Sequence, residues 1–186
     1  MTRFSARGYR VYLRTPERKD LDSFLDAVRR SRGLHRPWAH PPEEPVGFER
    51  YLRQVASSRR EGFLVCREED DGFAGVINVS EIVRGNFLSA YLGFYALAPH
   101  AGVGYMTEGV QLTARYAFRE LRLHRLEANI QPHNARSKAL VERCGFRKEG
   151  LSPRFLKIGG RWCDHERWAL LVDDWVARPR REKGAT

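Results

Sequence analysis

The segment APHAGVGY, from Ala98 to Tyr105, is the first stretch whose residue types could do chemistry. It connects a predicted strand rich in aromatic residues to a predicted amphipathic helix. This order exposes unpaired main-chain N–H groups and the positive end of a helix dipole, which together favour an anion. No Lys-Ser/Thr pair follows, and Thr107 stands where a dinucleotide fingerprint needs its last glycine. The spacing therefore leaves a phosphate site and an ordinary tight turn both open.

Asn134 and Ser137 are the second pair with chemical potential. They lie three residues apart at the start of a predicted helix, Ala135 to Cys144, so both side chains can face one groove. Asn134 is also well placed as the N-cap of that helix, and capping alone would explain it. Ser137 has the alternative of an exposed helix serine. Gly145 follows the helix and suits a left-handed C-cap.

The elements that must position these segments follow from the hydrophobic pattern. Apolar alternation predicts strands, and apolar residues at three- and four-residue spacing predict helices. The predicted strands are 9–14, 63–66, 73–79, 88–97, 126–131, 154–158 and 166–171; the predicted helices are one after Pro16, 48–60, one after Gly104 and 135–144. This order implies a three-layer α/β domain in which helices flank a mixed, mainly antiparallel sheet.

Length and composition limit the class of protein. The 186 residues are 42% hydrophobic, which suits one domain over residues 1–176, followed by a basic tail at 177–186, and excludes a wholly disordered basic chain. No apolar stretch is long enough for a membrane span, and the N-terminus lacks a signal peptide. Three cysteines without a C-x-x-C pair indicate neither a disulfide framework nor a zinc site. We expect a cytoplasmic protein without a metal.

The net charge of +10 is unevenly distributed. Residues 61–114 carry 2 basic and 7 acidic side chains, whereas residues 115–161 carry 12 basic and 4 acidic ones. Most of the basic residues are arginines, which suit phosphate, although codon usage of a GC-rich genome would explain them equally well. An anionic ligand and a solvated basic surface therefore both stay open.

Two segments carry a family resemblance. AGVGYMTEG (101–109) and HRLEANIQPHNARSKALVERCGFRKEG (124–150) resemble the GNAT N-acetyltransferases, and within them the ribosomal-protein-alanine N-acetyltransferases of the RimJ/RimL type, closest to the RimJ branch. VRGNFLSAYLGF (83–94) and FLKIGGRWCDHERWAL (155–170) add to it. The resemblance runs from Tyr9 to Trp175. It implies the GNAT acyl-CoA N-acyltransferase fold, with acetyl-CoA as co-substrate and no metal.

The resemblance also implies how acetyl-CoA is held. The family's phosphate loop falls on residues 101–106, where only Gly104 matches strictly and Ala101 replaces the usual Gln or Arg. Main-chain N–H groups alone would then contact the pyrophosphate, and Glu108 would be structural. The residues assigned to the co-substrate are Ala96, Leu97, Gly102, Val103, Gly104, Tyr105, Met106, Asn134 and Ser137.

The catalytic residues follow less directly from the resemblance. The tyrosine that protonates the thiolate in many GNAT enzymes falls on Val141, so Ser137 is the candidate that hydrogen-bonds the leaving sulfur. A main-chain N–H near Leu97 would polarise the thioester oxygen. The glutamate of the RimL type falls on Leu156, and Glu81, at a strand end, is the substitute base. An exposed strand-end carboxylate is the alternative for Glu81.

The acceptor is a primary amine, and a weak base favours an α-amine over lysine, because an α-amino group titrates near ~7.7–8.0 and lysine near ~10.4. Trp38 and Tyr91 would form an apolar wall for it, with core packing as the alternative for Trp38. The leading hypothesis is transfer to the N-terminus of a ribosomal protein. A small-amine acetyltransferase and a non-catalytic ribosome- or RNA-binding protein stay open; neither a membrane nor a specific DNA partner is expected.

Overall fold

Eight strands form one mixed sheet with helices on both faces, in a computed structural model that describes residues 4–177. The strands are β1 (Phe4–Arg7), β2 (Val11–Arg14), β3 (Arg60–Arg67), β4 (Phe73–Val83), β5 (Ser89–Ala96), β6 (Arg125–Ile130), β7 (Arg147–Ile158) and β8 (Arg161–Leu171). The helices are α1 (Leu21–Arg30), α2 (Arg32–His35), α3 (Pro45–Val55), α4 (Tyr105–Arg119), α5 (Ala135–Arg143) and α6 (Val172–Ala177). From residue 178 onward, the predicted basic tail lies outside the described residues.

The sheet opens between two of its central strands. Its order is β1-β2-β3-β4-β5-β6-β8-β7, and every neighbouring pair is antiparallel except β5 and β6. These two pair in parallel only from Ser89 to Tyr91 and from Arg125 to Glu127. Beyond Tyr91 and Glu127 the strands separate, so main-chain groups at the end of β5 face a gap instead of a neighbouring strand.

Two apolar cores hold the helices against the sheet. Under α1 and α3, Phe24, Phe48 and Leu97 are fully buried, and the rings of Phe24 and Phe48 lie 4.7 Å apart. Under α4 and α5, Val110 and Val141 are fully buried against β4 and β6 residues. The apolar residues of the helices recur at helical spacing, so one face of each packs inward. The three-layer α/β architecture predicted from the sequence is therefore confirmed.

Some elements differ from the prediction, for identifiable reasons. The second predicted helix begins at Pro45, because proline is favoured at the first helical position, and it ends at Val55. The last two strands are longer than predicted, since β7 is largely exposed on both faces and shows no clean alternation. The four-residue α2 is too short for a helical period to be seen.

The described residues contain neither a membrane-spanning helix nor a cluster of metal-binding side chains. Among residues 4–177, no helix is both long and apolar enough to cross a membrane. Over the same part of the chain, no three His, Cys, Asp or Glu side chains are grouped so that they could hold a metal ion. Cys66, Cys144 and Cys163 form no disulfide bond in the part of the chain that the structure describes.

Candidate active site

An open cavity of about 840 Å³ lies where β5 and β6 separate. Four segments line it: the α2 helix with the loop after it, the end of β5, the loop before α4 with the first turn of that helix, and one side of α5 with the two residues before it. The predicted site residues among its lining are Trp38, Ala96, Gly102, Met106, Asn134 and Ser137. Its volume is within the range of cofactor sites, so the cavity can hold an extended ligand between the strands.

The loop before α4 presents main-chain donors to this cavity. Gly102 and Gly104 have φ of 89° and 93°, a region that glycine adopts without strain. Gly104 is the N-cap and offers no side chain to the first turn. The carbonyl of Gly104 accepts from Thr107 and Glu108, as the first turn closes. The N–H groups of Tyr105 and Met106 have no intrahelical partner and are available to an anion.

Glu108 is structural, as the sequence indicated. Its carboxylate accepts the main-chain N–H groups of Tyr9 and Arg10 and so fixes the β1–β2 turn against α4. Arg10 in turn donates to the carbonyl of Val103 at 3.1 Å and lies over the ring of Tyr105 at 5.0 Å. The guanidinium of Arg10 therefore lies beside the glycine loop. A phosphate bound at this loop could contact Arg10 as well as main-chain N–H groups.

The start of α5 brings the second predicted pair to the cavity. The side-chain oxygen of Asn134 accepts the main-chain N–H of Ser137 at 3.2 Å, so the predicted cap is present. Gly145 follows the helix with φ of 95°, as predicted for its C-cap. Val141 is fully buried, so the position of the tyrosine in related enzymes is occupied by a core residue. Ser137 and Tyr95 are the hydroxyl-bearing residues of the cavity lining, and Tyr95 packs against the core under α1 and α3.

Two arginines on α5 give the cavity a cationic rim. Arg136 and Arg143 line it, and both are exposed. They are seven residues apart, or about two helical turns, so they lie on one side of the helix. Both belong to the basic segment 115–161, so part of the charge of that segment lies beside the cavity.

The N–H predicted near Leu97 to polarise the thioester oxygen is not that of Leu97 itself. Leu97 is fully buried, and its N–H donates to the carbonyl of Ala74 at 2.9 Å. Alternation along a strand then directs the N–H groups of Phe94 and Ala96 away from β4, toward the gap. These two N–H groups, and not that of Leu97, are placed to polarise a carbonyl in the cavity.

The α1–α2 junction is bonded to the end of β5. The Nε2 atom of His35 lies 2.9 Å from the carbonyl oxygen of Ala96, and the ring meets that of Tyr95 edge-on at 5.0 Å. Ser31 accepts the N–H of Ala98 at 2.8 Å. His35 and Ser31 are buried, and burial lowers the pKa of His35. The carbonyl of Ala96 is thus already engaged, and its N–H remains for a ligand.

The other predicted residues lie apart from the cavity. Tyr91 is 38% exposed on β5, before the strands separate, and it does not line the cavity with Trp38. Glu81 lies at an irregularity of β4 with φ of 50°, and its exposed carboxylate pairs with Arg59 at 2.6 Å. The side chains of Tyr91 and Glu81 therefore do not lie at the gap between β5 and β6.

Sequence reasoning missed Arg10, His35 and the pair Arg136 and Arg143. The seven-residue spacing of the two α5 arginines was a usable signal. No neighbouring residue in the sequence indicated a role for Arg10, because its partner Val103 lies 93 residues away. His35 lies in a proline-rich segment without periodicity, so its orientation could not be predicted.

Comparison with known proteins agrees with this geometry. Residues 10–147 match the family described as an acetyltransferase (GNAT) domain. The ribosomal protein uS5-alanine N-acetyltransferase of Escherichia coli is 33% identical over 175 residues, which cover 90% of each chain.

Solved structures with the same fold are also similar. RimJ of Mycobacterium smegmatis, in complex with CoA-disulfide, has a TM-score of 0.80 at 25% identity and covers 93% of this chain and 86% of its own. The spermidine N-acetyltransferase of Vibrio cholerae, in complex with CoA and spermine, has a TM-score of 0.76 at 24% identity, with 90% and 98% covered. At that identity the second likeness concerns the fold alone.

Proposed function

Because the chain belongs to the GNAT acetyltransferase family, we propose that it transfers the acetyl group of acetyl-CoA directly to the N-terminal α-amine of a protein. The leading candidate for this acceptor is a ribosomal protein. The observation that carries the proposal is the likeness to the uS5-alanine N-acetyltransferase, at 33% identity across 90% of both chains. This likeness extends over nearly the whole chain and is not confined to one segment.

The cavity suits acetyl-CoA in its chemistry. The free N–H groups at the start of α4, with Arg10, Arg136 and Arg143, would meet the phosphates. The N–H groups of Phe94 and Ala96 face the gap, where an extended pantetheine arm would pair with them as a strand does. Asn134 and Ser137 lie opposite this edge, at the start of α5.

The reaction that this arrangement supports is a direct transfer. The amine attacks the thioester carbon, a main-chain N–H of β5 polarises the oxygen, and Ser137 hydrogen-bonds the departing sulfur. No covalent enzyme intermediate is required. Cys66 and Cys144 are buried, and burial raises the pKa of Cys66 to about 11, so that thiol is not a nucleophile at neutral pH.

The acceptor is tested with matched amines. A peptide beginning with alanine is compared with the same peptide blocked by an Nα-acetyl group but carrying an internal lysine, and with spermidine. We expect CoA release and a 42 Da mass increase (about one acetyl group) only for the free α-amine. Acetylation of spermidine with the peptides untouched would instead establish a small-amine enzyme.

A binding measurement separates both enzymes from a non-catalytic role. Calorimetry with acetyl-CoA should show stoichiometric binding that weakens with salt, because phosphates carry the charge. RNA binding without any affinity for acetyl-CoA would contradict the proposed function altogether.

A further inference from the structure

His35 is a buried titratable side chain of the cavity wall. It ends α2, is only 4% exposed and lines the cavity next to Ala96. His133 also lines the cavity, but it is exposed. Glu81, the carboxylate first considered as a base, is exposed and paired with Arg59. Burial beside the edge of β5 therefore distinguishes His35 from the other candidates.

The hydrogen bond to Ala96 determines which ring nitrogen of His35 is basic. A carbonyl oxygen only accepts, so the Nε2 atom that lies 2.9 Å from it must carry the proton. In the neutral ring the lone pair is then on Nδ1. Among residues 4–177, the structure gives His35 no second hydrogen bond. The arrangement thus leaves an oriented basic nitrogen beside the donor strand.

The surroundings of His35 keep the ring neutral. Burial lowers its pKa, which outweighs the opposite effects of the Ala96 carbonyl and of Glu43. Glu43 is drawn toward Arg32, 2.6 Å away, and the uncharged ring of Tyr95 faces His35 from β5. Arg32 and Arg36, on the same segment as His35, lower the pKa of Glu43 and so keep that carboxylate charged.

We propose that Nδ1 of His35 is the general base that accepts the proton lost by the acceptor amine, an inference that rests on the proposed acetyltransferase function. The amine nitrogen bonds to the thioester carbon as its proton passes to Nδ1. The C–S bond then breaks, and the thiolate takes a proton from solvent beside Ser137. The imidazolium returns its proton to solvent, so the products are the amide and CoA thiol.

The test is the variant His35→Gln, with the alanine peptide as acceptor. Glutamine retains an N–H that can donate to Ala96, but it has no titratable nitrogen. We expect kcat to fall about 100-fold, within the range of lost general-base catalysis, while the Kd for acetyl-CoA changes less than about twofold. In the wild type, log(kcat/KM) should rise with a slope of two below the pKa of His35, because amine and ring both lose a proton. In the variant that slope should be one.

Two further variants separate a base from a scaffold. Ser31→Ala removes the neighbouring bond to Ala98, so it should lower stability but leave the slope of two. His133→Gln tests the other cavity histidine. If His133→Gln reduces the slope of log(kcat/KM) from two to one and His35→Gln does not, the base is His133 and the inference is wrong.

The remaining outcomes are also decisive. A His35→Gln enzyme with kcat within threefold of the wild type overturns the inference but leaves the proposed function intact. A wild-type protein that acetylates no amine overturns the proposed function itself. Should the variant not fold, nitrogen NMR of the wild-type histidines decides: protonation of Nδ1 in place of Nε2 in the neutral ring would contradict the role.

Discussion

The side chain of Asn134 caps the helix on which Ser137 stands, by accepting the main-chain N–H of Ser137 at 3.2 Å. The cap fixes the first turn of α5 against the cavity and therefore also the position of the Ser137 hydroxyl. Two residues that the sequence pattern paired by spacing alone are joined by a direct contact. Their effects on catalysis and on stability can be separated by substitution.

Ser137→Ala should reduce kcat by roughly tenfold to a hundredfold, because the leaving sulfur loses its hydrogen-bond donor. The KM for acetyl-CoA should change little, since the phosphates bind elsewhere. Ser137→Thr retains a hydroxyl and should recover part of the loss. Steady-state kinetics with the alanine peptide measure this, and an unchanged kcat in Ser137→Ala would remove the residue from the mechanism.

Asn134→Asp should separate capping from ligand binding. Aspartate caps a helix as well as asparagine does, so the melting temperature should stay near that of the wild type. The added negative charge on the cavity wall should weaken acetyl-CoA binding several-fold. Asn134→Ala is the matched variant, and it should cost about 1 kcal/mol of stability. Equal acetyl-CoA affinity for Asn134→Asp and wild type would place the phosphates away from α5.

Arg136→Gln and Arg143→Gln should each raise the KM for acetyl-CoA about three- to tenfold, with the difference shrinking at high salt. Both side chains lie at the rim of the cavity, where a charge contributes to anion binding. Arg53→Gln is the control, because Arg53 is exposed on α3 and does not line the cavity. An equal response of all three variants would indicate a general charge effect.

The features that the sequence predicted well are local ones. Gly145 has the positive φ predicted for it, and Asn134 is the cap that its position indicated. Each depends on residues within one turn, so spacing and residue type contain the information. The order of most strands and helices follows from periodicity for the same reason.

The features that it missed depend on distant contacts. Arg10 meets Glu108 from 98 residues away, and His35 meets Ala96 from 61 residues away. Which N–H near Leu97 is available depends on the phase of the strand: the pairing of Leu97 with Ala74 decides whether a given N–H faces β4 or the gap, and local sequence does not encode that pairing. Residue types indicated the chemistry of the site, whereas tertiary pairing determined which main-chain atoms are available to a ligand.

Gly75→Ala should destabilise the protein by about 2 kcal/mol, as overpacking of a core does. A Cβ there would collide with the sulfur of Met106 and would lie 2.8 Å from the carbonyl of Tyr95. Met106 lines the cavity, so the KM for acetyl-CoA should rise as well. Gly93→Ala is the matched control on β5, where nothing lies within 4 Å of the added carbon. Urea unfolding and kinetics of both variants test this, and equal stability of the two would contradict the packing argument.

Stability at low pH should depend on His35. Its pKa in the folded protein is lowered by burial, below the ~6.5 of an unfolded chain. The unfolded state therefore binds a proton more readily, and the contribution of the neutral ring is complete above about pH 6.5. That contribution is lost as the pH falls through the folded-state pKa. Urea unfolding at about pH 7.5 and pH 5 should show a larger loss of stability for the wild type than for His35→Gln, which has no group to protonate there. The two proteins differ only at residue 35, so the comparison isolates the contribution of this side chain. An equal loss in the two proteins would mean that His35 is solvated or already charged in the fold, and the ring would then lack the free lone pair that its bond to Ala96 implies.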